Sequence, residues 1–137
     1  MYAGIGPNTF PLSYKVPYKA FMGPSIGDLF FENNQVLDDT ISRYQNQFVS
    51  FHCEDPDILN DSKNKSDHFT KRPVKAEILA TEFALYLIKK YQLKGKLCHY
   101  SSGDGLDAIL NFKKEGGNVL IEVTPQHLFF SEEKISS

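Results

Sequence analysis

Two cysteines, Cys53 and Cys98, are all the thiol in this 137-residue chain, too few for a disulfide framework. Neither sign of charge dominates, with 15 basic against 17 acidic residues, so the electrostatic footprint of a nucleic-acid-binding protein is missing. No apolar run approaches the ~20 residues of a membrane span. No basic-then-apolar leader opens the sequence either, so a cytoplasmic location without membrane or nucleic-acid partners is expected. Internal repeats are absent at the residue level. What remains, at 41% hydrophobic residues, suffices for one core and one domain over residues 1–137.

The most informative stretch is Gln47-Phe48-Val49-Ser50-Phe51-His52-Cys53-Glu54-Asp55-Pro56. Its β-branched and aromatic residues read as a buried strand that stops at a polar, Pro-terminated turn, which leaves His52 at the strand's carboxyl end. Two further stretches resemble it. Lys94 to Ser102 is a short apolar run containing His99, and Val16 to Gly23 encloses Lys19 among apolar residues. In an α/β chain the carboxyl ends of parallel strands are where ligands and metals bind, so Lys19, His52 and His99 are the candidate site residues. Alternation along the strand sends His52 and Cys53 to opposite sides, and both cysteines are expected to pack rather than ligate.

Between these strands the pattern changes period. Val36, Leu37, Thr40, Ile41 and Tyr44 predict an amphipathic helix. The polar segment 57–71 predicts a surface loop carrying a solvated His68. Arg72-Pro73 predicts the start of the longest helix, with Ile78, Leu79, Phe83, Leu87 and Ile88 as its buried stripe. Asp104 or Asp107 is expected to cap another helix, with Leu106, Ile109, Leu110 and Phe112 on its apolar face and Gly116-Gly117 at its end. Brief strands are expected within residues 1–6 and 118–123. Strand and helix in alternation predict parallel βαβ units, an α/β fold.

Taken in order, Tyr18-Lys19-Ala20-Phe21-Met22-Gly23-Pro24-Ser25, Phe51-His52-Cys53-Glu54-Asp55, Arg72-Pro73 with Ala76-Glu77, Cys98-His99-Tyr100-Ser101-Ser102 and Glu122-Val123-Thr124-Pro125-Gln126-His127-Leu128 resemble the dihydroorotases of the amidohydrolase superfamily. Tyr100, where that family usually has Val or Ile, and Gln126, where it often has His, depart from the pattern. The resemblance implies a (β/α)8 TIM barrel with a two-metal centre, usually zinc, that interconverts N-carbamoyl-L-aspartate and dihydroorotate in pyrimidine biosynthesis. It also implies that Lys19 becomes a carbamate bridging two ions and that His52 and His99 ligate one of them. A carbamate offers two anionic oxygens, which suits cations ~3.5–4 Å apart that polarise the ring amide.

The resemblance also shows what this chain does not supply. That family's first strand carries a His-x-His pair and its last strand a catalytic Asp, whereas His52, His68, His99 and His127 include no pair separated by one residue. A full barrel needs ~250 residues, so the chain resembles its middle, roughly strands three to seven. No catalytic acid or base is assigned within it; Glu54 and Asp55 read as turn residues, and His127 as a residue that could reach the barrel mouth. Two other readings share these residues. One is a catalytically silent piece that pairs its open sheet edges with another chain. The other is a hydantoinase-like amidase with a different cyclic amide as substrate.

Overall fold

The computed structural model describes residues 1–23, 29, 31–53, 74–100 and 103–125. The segments read from sequence as a 57–71 surface loop and a turn at 24–28 lie outside them, as do Glu54, Asp55, His68, Arg72, Pro73 and His127. Five strands form one sheet in chain order: β1 (Ala3–Ile5), β2 (Tyr18–Phe21), β3 (Phe48–His52), β4 (Lys94–Leu97) and β5 (Val119–Ile121). Every neighbouring pair is parallel. Strand follows strand in sequence order without reversal, which is how a (β/α) barrel winds.

Helices α1 (Asn34–Ile41), α2 (Val74–Lys90) and α3 (Leu106–Lys114) join the later strands. The Asn33 side chain caps α1 by accepting from the Val36 amide at 3.0 Å, and the helix tightens into a 3-10 turn over Ser42–Tyr44. Along α2 the buried residues are Ala76, Ala80, Thr81, Ala84, Leu85, Leu87 and Ile88. The stripe expected from sequence is therefore shifted: Leu79 is exposed, and Ile78 and Phe83 are only half-buried. Small side chains let the helix approach the sheet closely, and bulk alone is a poor guide to which side faces inward. At Gly95 of β4 the approach is so close that a Cβ would run into Ile88.

Helix α3 departs from expectation in two ways. Gly105 occupies the N-cap and no side chain caps it, so neither Asp104 nor Asp107 does. Ile109 and Phe112 are buried while Leu106 and Leu110 stay exposed. The helix ends as predicted, with Gly116 at φ +89°, a left-handed turn that favours glycine.

Strand register divides the sheet into two faces. Tyr18, Val49, Gly95 and Val119 share one row, and Ala20, Phe51, Leu97 and Ile121 the next. Both rows face the helices and join Ile5, Leu37, Ile41, Tyr44 and Ile88 in the core. Lys19, Ser50, Lys96 and Leu120 alternate with them on a face that no described helix covers. No helix among the described residues is long and apolar enough to cross a membrane.

Candidate functional site

Lys19 pairs with Ser50 and Phe21 with His52, so Lys19 and His52 lie on the same uncovered face, two residues apart along the strand direction. The Lys19 Nζ sits 5.0 Å from the centre of the Phe21 ring, and that ring lies 5.9 Å from the His52 ring. His99 belongs two residues past the end of β4. Strict alternation from Lys96 would put Cys98 on the uncovered face and His99 behind it. The backbone at His99 instead adopts φ +52°, an uncommon conformation for a non-glycine residue, and its ring comes round to 6.2 Å from His52, nearly edge-on. His52 and His99 thus meet at the carboxyl ends of β3 and β4, and Lys19, one strand over on β2 and two residues earlier along the strand direction, shares the face of His52.

The residues the sequence reading passed over are Lys96 and the side chain of Glu122. Lys96 is ion-paired with Glu122 Oε2, and Glu122 Oε1 stands 3.2 Å from His99 Nδ1. The Lys96 ammonium holds the Glu122 carboxyl below the usual carboxylate range, and Glu122 in turn pushes Lys96 up. Lys96 also reaches the Tyr2 hydroxyl at 3.2 Å. Tyr2 flanks β1, and strands in a sheet lie ~4.8 Å apart, so two side chains meeting across two intervening strands require a curved, concave face. The signal for Lys96 was available in sequence: a lysine alternating with buried residues in a strand must lie opposite them.

The two cysteines part company. Cys53 packs in the core as expected. Cys98 is buried too, but on the polar face, where desolvation pushes its thiol up against the opposing pull of Lys19, Lys96 and the Ser50 hydroxyl. Tyr100, the departure from the family pattern, is buried with its hydroxyl so close to Gly105 that a Cβ there would collide with it. Two clefts of about 320 and 190 Å³ open elsewhere, at the amino ends of the strands beside Lys94.

No family model matches the chain. Among curated proteins, a dihydroorotase of Thermococcus kodakarensis is 37% identical over 116 residues, 83% of this chain and 25% of that protein. The chain's relatives include further dihydroorotases, members of the amidohydrolase superfamily. An allantoinase of Streptomyces avermitilis is also similar to this chain, 30% identical over 129 residues, 86% of the chain and 28% of the relative. Among solved structures, a dihydropyrimidinase from Brevibacillus agri superposes with a TM-score of 0.74 at 24% identity, over 88% of this chain and 28% of the other. The chain therefore spans about a quarter of the length of the relatives it matches, and its five-stranded sheet is part of their barrel fold. These are names of cyclic amidohydrolases, a generally metal-dependent group of proteins of which this chain matches a part.

Whether the residues present suit a metal is a question of donors. Among the described residues no group of three or more His, Cys, Asp and Glu could hold an ion. Two imidazoles on one face are donors of a kind that suits a metal, and Lys19 becomes one only if its amine is carboxylated. One imidazole already has a carboxylate at Nδ1, the arrangement that leaves Nε2 to ligate.

Proposed function

We propose that residues 1–137 form one partial amidohydrolase barrel domain that supplies half of a dihydroorotase metal centre. Lys19, carboxylated to a carbamate, would bridge two zinc ions, and His52 and His99 would hold one of them. The ions would supply Lewis acidity toward the ring amide of dihydroorotate, in the reversible conversion from N-carbamoyl-L-aspartate that belongs to pyrimidine biosynthesis. The observation that carries this reading is the meeting of His52 and His99, 6.2 Å apart between ring centres, on the face that also bears Lys19. A cytoplasmic setting accords with that role.

This chain's own contribution is positional. Its concave face holds the lysine and imidazoles on adjacent parallel strands, and Glu122 and Lys96 keep the surrounding charge balanced. It has no His-x-His pair for a second ion. We therefore expect the 137-residue chain by itself to show no dihydroorotate ring opening with zinc supplied, because no assigned residue moves the proton. Calorimetric titration with zinc tests the ligand assignment. Weak binding that disappears with either His52→Ala or His99→Ala is expected, whereas tight stoichiometric binding that survives both substitutions would overturn it.

A second reading keeps the metal chemistry and changes the substrate. The allantoinase relative and the dihydropyrimidinase neighbour favour a hydantoin-like cyclic amide, and comparing dihydroorotate with such amides in a complete barrel carrying this segment distinguishes the two. A third, silent association of the chain through its edges, is favoured by β1 and β5, each paired on one side only among the described residues.

A further inference from the structure

We propose that Glu122, held by Lys96, is a positioning residue that fixes the tautomer and aim of His99 so that its Nε2 faces the open site. The inference deepens the reading above and rests on His99 being a ligand there. Glu122 gives one carboxylate oxygen to each neighbour, Oε2 to Lys96 and Oε1 to His99 Nδ1 at 3.2 Å. With both oxygens engaged the carboxylate has little freedom to rotate, and Lys96 is itself anchored to the Tyr2 hydroxyl.

The main chain adds a second constraint. The Glu122 amide donates to the Leu97 carbonyl at 2.8 Å, and the Tyr100 amide donates to the Glu122 carbonyl at 2.8 Å. Those two bonds bracket the Cys98-His99 pair, holding the turn in which His99 takes its φ of +52°. Glu122 thus grips both the backbone on either side of His99 and the ring itself. A neutral imidazole carries one ring proton, and a carboxylate at Nδ1 draws that proton there, leaving the Nε2 lone pair for a cation. An ordinary surface ion pair would impose no such choice, since it needs the doubly protonated ring.

Nitrogen-15 correlation spectra of the histidine rings test this in the metal-free chain, at a pH well above the imidazole range. We expect His99 to be predominantly the Nδ1–H tautomer, and Glu122→Gln to move it toward Nε2–H. Calorimetry with zinc chloride alone should show a ~10–100-fold loss of affinity in Glu122→Gln. Lys96→Met should act in the same direction and less. A parent chain whose His99 is Nε2–H, or ring signals indifferent to Glu122→Gln, would overturn the positioning role. Zinc binding unchanged in His99→Ala would instead overturn the ligand reading beneath it, while the tautomer result would stand on its own.

Discussion

On the helix side of the sheet Ile5, Ala20, Phe51 and Leu97 are fully enclosed, while on the other side Lys19, His52, Lys96 and Glu122 keep polar atoms in partial contact with water. Lys19 and Ala20, Phe51 and His52, and Lys96 and Leu97 are neighbours along β2, β3 and β4. The helix side is held by apolar burial, which is indifferent to detail as long as volume is filled. The open side is held by a few charged pairs whose placement matters more than their energy. A single strand such as Phe48–His52 therefore serves stability at Val49 and Phe51, and presents His52 on the other face. That division predicts how substitutions on each side should behave.

The largest effect belongs to the helix side. Phe51→Ala empties a position with no exposure and should cost about 3–5 kcal/mol in urea unfolding, a large part of a domain's stability. Overfilling the same side is the next test. Gly95→Ala forces Ile88 to move and should cost about 1–3 kcal/mol; a neutral result would mean that α2 packs less closely on β4 than the sheet implies.

A smaller effect lies in the helix layer itself. Asp38 of α1 accepts hydrogen bonds from Lys90 and from the Tyr91 hydroxyl, tying α1 to the end of α2. Burial pushes its carboxyl up, but the bonds from Lys90 and Tyr91 outweigh that and leave it below its ordinary value. Asp38→Ala should cost about 1 kcal/mol, mostly through the Tyr91 hydroxyl, because an exposed ion pair adds little. A carboxylate depressed on folding contributes above its unfolded value and loses that contribution as pH falls through its folded one. The difference between parent and variant should therefore shrink below about pH 4 in acid unfolding.

On the open side the expected stability change is smallest. His52→Ala should alter unfolding by no more than about 0.5 kcal/mol while abolishing the zinc response, and a large loss of stability would erase the distinction between the faces. Together Phe51→Ala, Gly95→Ala and His52→Ala place the boundary between scaffold and site at single-residue resolution along β3 and β4, with Asp38→Ala as the reference in the helix layer.

Much of this was legible in the order of residues. Period-two alternation and the turn residues marked β2, β3 and the neighbourhood of β4, and their spacing marked parallel connections. Lys19 and His52 could be placed on one face from the same alternation. The seam of α2 is not legible there, because Ala76, Ala80 and Ala84 look like weak core residues until a sheet lies within their reach. Asp104 and Asp107 look like side-chain caps for α3 in the sequence, and its Gly105 start uses neither.

What the sequence by itself determined is therefore the local alternation of apolar and polar positions, because each strand's pleat depends only on its own residues. Tertiary structure alone decided the meeting of His52 with His99 and the partition of Glu122 between His99 and Lys96. His99 reaches the open face through a left-handed backbone that alternation would not allow, held in place by main-chain bonds to a residue 23 positions later in the chain. A contact of that kind is a property of two strands lying side by side, and neither strand carries it alone.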